Sequence, residues 1–283
     1  MEIEIHPCEY SDAGFLWEHS FESVPVEENA RQELLVFKVT DESGTIIGGC
    51  VLDIDEIKTA EIDRLWVDER YRKQGMGSAL ICKAEQEARK KGCRSIVNTY
   101  IFDFQTARRL FERHGYRLIG TVKNWPKGHE NYTLEKALDC CSPAVSFDQG
   151  GFEIKTGSEE DGKFIADRLE EYNRSFASRS HAYLDIDKKI VDEKGNMIAG
   201  CIAGVSGWDT LHIDAFWADE HFHGSEIDSY LLEEIEREAK EKGAYFSSTS
   251  GTDLQAAFFK KQGYEVSAVF EDQPKWYVLH KYL

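Results

Sequence analysis

The chain has 283 residues and a mass of 32.4 kDa, room for two domains of about 100–150 residues rather than one. Hydrophobic residues make up 41% and charged residues 30%, enough apolar material to build cores and too little charge bias to stay unfolded. With 34 basic against 52 acidic residues the formal net charge is −18, which argues against nucleic acid and anionic lipid surfaces as partners and favours small cations.

No run approaches about 18 apolar residues, and the opening Met-Glu-Ile-Glu-Ile-His has no basic segment leading into an apolar one. The sequence therefore predicts neither membrane insertion nor export. Seven cysteines, an odd number with no CxxC pair, fit reduced thiols in a cytoplasmic protein better than a disulfide framework.

In chain order, residues 33–40, 45–55 and 60–68 are β-rich runs joined by turn chemistry such as Glu42-Ser43-Gly44-Thr45, which reads as an antiparallel meander. From Gly75 to Lys91, apolar Met76, Leu80, Ala84 and Ala88 recur at helical spacing and Gly92 supplies the stop, so a helix with one buried face is expected. Residues 94–101 follow as a strand, 106–114 as a short helix ended by Gly115, and 116–122 and 132–138 as two closing strands.

The pattern then repeats. Ile47-Gly48-Gly49-Cys50 matches Ile198-Ala199-Gly200-Cys201, and Ile62-Asp63-Arg64-Leu65-Trp66-Val67-Asp68-Glu69 matches Ile213-Asp214-Ala215-Phe216-Trp217-Ala218-Asp219-Glu220, both at an offset of 151. Phe111 with Gly115-Tyr116 matches Phe259 with Gly263-Tyr264 at an offset of 148. A sustained register of this kind marks a duplicated unit. The expected organisation is a first domain over 1–139, a linker over 140–151 holding Pro143 and Gly150-Gly151, and a second domain over 152–283 with its long helix from about Ser225 to Lys242. Residues 1–140 carry 19 basic and 25 acidic groups and residues 141–283 carry 15 and 27, so most of the acidity belongs to the second copy.

Chemistry concentrates at Arg70-Tyr71-Arg72-Lys73-Gln74-Gly75-Met76-Gly77-Ser78, between an apolar strand and the amphipathic helix. A helix N-terminus offers free N–H groups and partial positive charge, and glycines let an anion approach them closely. Neither GxxxxGK[ST] nor a GxGxxG after a first βαβ strand is present, so nucleotide hydrolysis and dinucleotide binding lose support.

Arg72-Lys73-Gln74-Gly75-Met76-Gly77 resembles the [QR]-x-x-G-x-[GA] signature of the GNAT family of acyl-CoA-dependent N-acetyltransferases, and Leu110-Phe111-Glu112-Arg113-His114-Gly115-Tyr116 resembles its LYxxxGF box. The likeness covers both copies. It implies an α/β fold, a mixed sheet with flanking helices, twice in tandem, with acetyl-CoA as acyl donor. It further implies that Arg72, Lys73, Gln74, Gly75, Met76, Gly77 and Ser78 hold the coenzyme A diphosphate, and that Leu65, Trp66 and Val67 line the pantetheine arm.

Acetyl transfer to an amine needs a proton acceptor and a donor for the developing oxyanion. Strict strand alternation would set Glu61, Asp63, Leu65 and Val67 on one side and Ala60, Ile62, Arg64 and Trp66 on the other. Glu61 stands 14 residues before Gly75, a spacing similar to that of family members with a strand-four glutamate base. Glu61 is therefore expected as base, with Asp63 the alternative, and the Leu65 N–H as oxyanion donor. The tyrosine that often protonates the leaving thiolate is replaced by Phe111, leaving Tyr100, Tyr116, solvent or the product ammonium as acid. The family's asparagine before the box is replaced near Phe104-Gln105.

In the second copy Glu226 and Asp228 stand where Gly75 and Gly77 do, His221 and His223 replace Arg70 and Arg72, and His212 replaces Glu61. Carboxylates in a first helical turn occupy the amides a diphosphate would use. A degenerate second domain without coenzyme A is expected. The His221-Phe222-His223 pattern is read as a drifted basic loop and no metal is expected. Lys127-Gly128-His129 is a solvated turn or a substrate-contacting segment, and Trp208, Phe216 and Trp217 are packing residues. The expected partners are acetyl-CoA and a cationic amine acceptor; the oligomeric state is left open by the sequence, a monomer with an internal pseudo-dimer being one form compatible with it. The competing reading is a non-catalytic acyl-CoA sensor.

Overall fold

A computed structural model of the chain describes residues 5–20, 32–55, 58–102, 105–138, 153–175, 177, 179–222, 226–271 and 275–283. The first half carries β1 (Ile5–Pro7), α1 (Tyr10–Ser20), β2 (Glu33–Thr40), β3 (Ile46–Ile54), β4 (Thr59–Val67), α2 (Met76–Lys90), β5 (Ser95–Phe102), α3 (Gln105–Arg113), β6 (Arg117–Lys123) and β7 (Glu130–Ala137). The second carries β8 (Ile154–Thr156), α4 (Glu159–Arg174), β9 (Leu184–Asp185), β10 (Lys188–Val191), β11 (Met197–Ser206), β12 (Thr210–Ala218), α5 (Glu226–Glu241), β13 (Phe246–Gly251), α6 (Asp253–Lys261), β14 (Glu265–Phe270) and β15 (Trp276–Tyr282). The anticipated meanders, long helices and closing strands all form. The opening strand and helix of each half are elements the periodicity reading passed over, and the proposed linker over 140–151 lies outside the described residues.

In both halves a long helix packs on the sheet through one stripe. Met76, Leu80, Ala84 and Ala88 of α2 are buried against Leu52, Ile62 and Leu134, and α2 stops where Gly92 takes φ 82°, a conformation that glycine adopts without strain. Polar clamps repeat as well. Lys136 on β7 reaches both carboxylate oxygens of buried Glu85 at 2.7 Å, and Lys281 on β15 does the same to Glu236 at 2.9 and 2.7 Å.

The compact units are not the two sequence halves. One spans Val26–Ala177 and the other joins Met1–Pro25 to Ser178–Leu283. Among the described residues the first has strand order β6-β7-β5-β4-β3-β2-β8, with β8 antiparallel to β2, and the second has order β1-β10-β11-β12-β13-β15-β14, with β9 on β11. Domain limits at 139 and 152 therefore describe the duplicated sequence, while in the folded chain each unit takes its opening strand and helix from the other repeat.

Matched glycines explain why the helices seat there. A Cβ on Gly49 of β3 would collide with Ile165 of α4, and one on Gly200 of β11 would collide with Leu16 of α1. Ile165 and Leu16 are each fully buried in these seats. Burying such a side chain contributes about 1.5–3 kcal/mol, and α4 is also fixed by a reciprocal Ser158–Asp161 cap and by Lys38 donating to Asp161 at 2.7 Å.

Because a Gly49 Cβ would also sit 2.9 Å from the Phe37 carbonyl, Gly49→Ala should lower unfolding free energy by about 1–3 kcal/mol in denaturant titration. Adding Ile165→Val should recover part of that loss. Simple additivity of the two losses would refute the seat.

Candidate active site

The site grows from the way β4 is shared between two neighbours. With β3 it pairs along its whole length, but its parallel register with β5 runs only through Thr59, Ala60 and Glu61. The Asp68 N–H donates to Ile47 O at 2.9 Å, so by antiparallel alternation Trp66 faces Gly49 in a hydrogen-bonded pair. Leu65 and Val67 then point their N–H and C=O groups away from β3. Beyond Glu61 that edge opens toward the diverging β5, with Asn98 Nδ2 donating to Ile62 O at 2.5 Å at the fork.

At the end of β4 a 3-10 turn, Glu69–Tyr71, is capped by Asp68, which accepts from the Arg70 N–H and from Arg70 Nε and Nη2, each at 3.0 Å. Arg70 is thereby committed to Asp68. Arg72 instead folds back, donating from Nε to Val67 O at 2.9 Å and from Nη1 to Glu69 at 3.4 Å, while Gln74 donates to Arg70 O at 3.3 Å. Lys73 and Gly75 take positive φ of 63° and 89°, and α2 starts at Met76 with no side-chain cap and no acidic residue in its first turn. Its leading amides, Gly77 and Ser78 included, are open to an anion, as a diphosphate requires.

Glu61 lies opposite Asp53 in the β3–β4 ladder and accepts from the Thr99 hydroxyl and, at 3.3 Å, from the Thr99 N–H. Burial pushes its carboxyl up to about 7, aided by Asp63 and Asp53 and opposed by the Thr99 hydrogen bonds. A carboxylate with that pKa can take up a proton near neutral pH. Asp63, the alternative base, pairs with Arg64, and its carboxyl too is raised, chiefly by partial desolvation.

The sequence profile of the acetyltransferase (GNAT) family matches residues 3–116 and again 153–264. The chain belongs to the GNAT family. It is an acyltransferase, and acetyl-CoA is the donor that GNAT acetyltransferases use. It is 37% identical over 116 residues to a blasticidin-S acetyltransferase of Streptomyces morookaense, covering 40% of this chain and 82% of that one. It is 33% identical over 92 residues to an uncharacterised N-acetyltransferase of Chlorobaculum tepidum, covering 32% and 56%. Among solved structures, an acetyltransferase from Bacillus cereus is 30% identical with a TM-score of 0.43, covering 46% of this chain and 97% of that one.

Against the GNAT expectations, strict alternation along β4 fails. The register shifts so that Arg64 faces Val51 while Ile62 faces Leu52, leaving Asp63 as an extra, bulged residue. Ala60, Ile62, Leu65 and Val67 consequently pack in one core, and Trp66 packs on the opposite face with Val36, Val51 and Ile165. Trp66 is thus drawn away from the open edge, its backbone in the β3 ladder and its ring 6.0 Å from Phe164 of α4. The same bulge recurs at Asp214. Thr99 and Asp53 are the neighbours of Glu61 that sequence reasoning missed.

Phe111 is a buried core residue, edge-on to Tyr116 at 5.0 Å. Tyr116 is itself 3% exposed beside Glu85 on the second half of α2, remote from the first turn, so burial removes it from proton delivery. The Tyr100 side chain and Phe104 lie outside the described ones, as does the side chain of Gln105. The turn at Lys127-Gly128-His129 is closed internally, with Gly128 N–H donating to Asn124 Oδ1 at 2.7 Å and Trp125 N–H to His129 O at 3.0 Å.

The second repeat keeps the fork and changes its residues. Thr249 Oγ1 donates to Ile213 O at 3.0 Å as Asn98 does to Ile62, but His212 stands in place of Glu61, 3.3 Å from Ser206 Oγ, its pKa driven down to about 4 by burial. Glu226 and Asp228 lie in the first turn of α5, and His223 and Ser225 lie outside the described residues. No group of three or more metal-ligating side chains occurs among the described residues. Phe216 stacks on Phe258 at 5.2 Å, Trp217 packs edge-on to Phe15 at 5.0 Å, and Arg179 lies over Trp208 at 5.1 Å.

The buried Tyr116 hydroxyl has no hydrogen-bond partner among the described residues, whereas its counterpart on Tyr264 meets Ser247 at 2.7 Å. Tyr116→Phe should therefore leave stability unchanged or raise it, by up to about 1 kcal/mol, and Tyr264→Phe should lower it by a similar amount. Thermal melts of the two variants check the opposite signs.

Proposed function

We propose that the first repeat transfers the acetyl group of acetyl-CoA to a primary amine of a cationic small molecule or peptide, and that the second repeat binds no coenzyme. Glu61 carries this reading, because a carboxyl held near neutrality beside an open strand edge is what deprotonation of an ammonium at pH 7 requires. Acetyl-CoA supplies the thioester. The amides of the α2 first turn take its diphosphate, and the Leu65 and Val67 backbone pairs with its extended arm. Glu61 accepts the ammonium proton through water, the amine nitrogen bonds to the thioester carbon, and the Leu65 N–H stabilises the oxyanion. The C–S bond then breaks toward the coenzyme thiolate. Solvent or the product ammonium protonates that leaving group, tolerable for a thiol of pKa about 8.5 if it resembles cysteine.

Asp53, Glu61 and Asp63 together favour a cationic acceptor, as does the net charge of −18. Glu226 and Asp228 at the head of α5 repel a diphosphate, each charge contributing about 0.3–1 kcal/mol. A reducing, cytoplasmic setting suits Cys8, Cys50, Cys82, Cys93 and Cys201, which form no disulfide among the described residues. No described helix is long and apolar enough to cross a membrane.

Glu61→Gln should reduce kcat at neutral pH at least about tenfold and up to the 10²–10⁴ such a base contributes, while acetyl-CoA affinity stays the same. Only the ionised carboxylate accepts a proton, so wild-type kcat/KM should climb with pH through about 7 and level off above it, and the variant should lose that titration. Unchanged turnover in the variant would remove Glu61 from the mechanism. Separately, calorimetry should give one acetyl-CoA site per chain, abolished by Gly77→Glu. A panel of amines that releases no free thiol above background would favour the sensor instead.

A further inference from the structure

Helix α4 belongs by sequence to the second repeat and by packing to the sheet whose strand β4 leads into the turn that holds Arg72. It is held there by Ile165 in the Gly49 seat, by Trp66 against Phe164 and by the Lys38–Asp161 pair. Seven residues beyond Ile165, two turns along the same face, α4 presents Tyr172. The Arg72 guanidinium carbon lies 4.3 Å from the centre of the Tyr172 ring, within the range of a cation–π contact.

Arg72 is the residue best placed to use this support. Of the three cations before α2, Arg70 is neutralised by Asp68 and Lys73 is exposed. The Arg72 side chain is bound back to the end of β4 through Val67 O, its Nη1 only 3.4 Å from Glu69 and its Nη2 without a partner among the described residues. A flat ring under the guanidinium removes most of the freedom that a long arginine side chain would otherwise lose when it meets an anion.

We propose that Tyr172, supplied by the second repeat, is a positioning residue for the coenzyme site of the first: its ring fixes the Arg72 guanidinium beside the open amides of α2, so that the diphosphate meets a charge already in place. The inference rests on the reading of residues 72–78 as the diphosphate loop. It also gives the second repeat a part in the reaction without a coenzyme site of its own.

The test measures acetyl-CoA affinity by calorimetry and steady-state kinetics on the full chain. Tyr172→Ala and Tyr172→Leu should each raise Kd and KM for acetyl-CoA by about threefold or more, with kcat and the acceptor KM within twofold, and Tyr172→Phe should restore wild-type values. A merely structural tyrosine would not give this split with rescue, and Leu preserves the apolar contact if Ala disturbs folding. In an Arg72→Ala background, Tyr172→Ala should add little, since it acts through the missing guanidinium. Unaltered affinity in Tyr172→Leu, failure of Phe to rescue, or an undiminished effect without Arg72 would overturn the proposal. Gly77→Glu separates the two readings: if it leaves binding intact the loop reading fails, and if it abolishes binding while Tyr172→Leu has no effect, only the role of Tyr172 falls.

Discussion

Strand β4 cannot satisfy two neighbours along its whole length, and the rest of the site follows from that. Paired with β3 throughout and with β5 only as far as Glu61, it leaves Leu65 and Val67 with main-chain groups directed into a fork. Main-chain donors are stiff and keep their direction without side-chain ordering, which suits them to an extended ligand and a developing oxyanion. The bulge at Asp63 sets the phase of the strand. Without it, Leu65 and Val67 would leave the core they share with Ile62, and Trp66 would lose its place under α4.

The fork works only if the turn after β4 is equally rigid. Asp68 caps it, Arg72 ties it back to Val67, and Gly75 bends it into α2 with a positive φ. Each of these contacts is modest alone. Together they fix the turn between β4 and the first amides of α2, as the proposed reading of one ligand spanning both requires. Charge is divided along the strand: the amide end and Arg72 are positive, while Asp53, Glu61 and Asp63 place carboxyl groups farther back along β4 and β3, the arrangement on which the proposed cationic acceptor rests.

The exchange of opening elements gives the duplication a physical meaning. Each repeat offers a strand glycine, Gly49 on β3 or Gly200 on β11, and a branched aliphatic residue on its first helix, and each unit combines the two from different repeats. The second repeat thus contributes α4, with Ile165 and the Ser158 cap, to the sheet of the first, a part that does not depend on His212, Glu226 or Asp228.

Much of this was legible in the residues. Periodicity located the long helices, the 151-residue offset exposed the duplication, and the spacing from Glu61 to Gly75 pointed to the base and the loop that the proposed reading uses, because a few neighbouring residues determine these signals. Residues distant in sequence decided the rest. Whether Glu61 is neutral or charged near pH 7 depends on Thr99, Asp53 and burial, the faces of β4 depend on a register shift with β3, and the helix over Trp66 depends on which sheet could accept Ile165. Sequence by itself determined the elements and the family; only tertiary structure decided partnership, because strand register and helix docking are chosen by packing energies summed over segments more than a hundred residues apart.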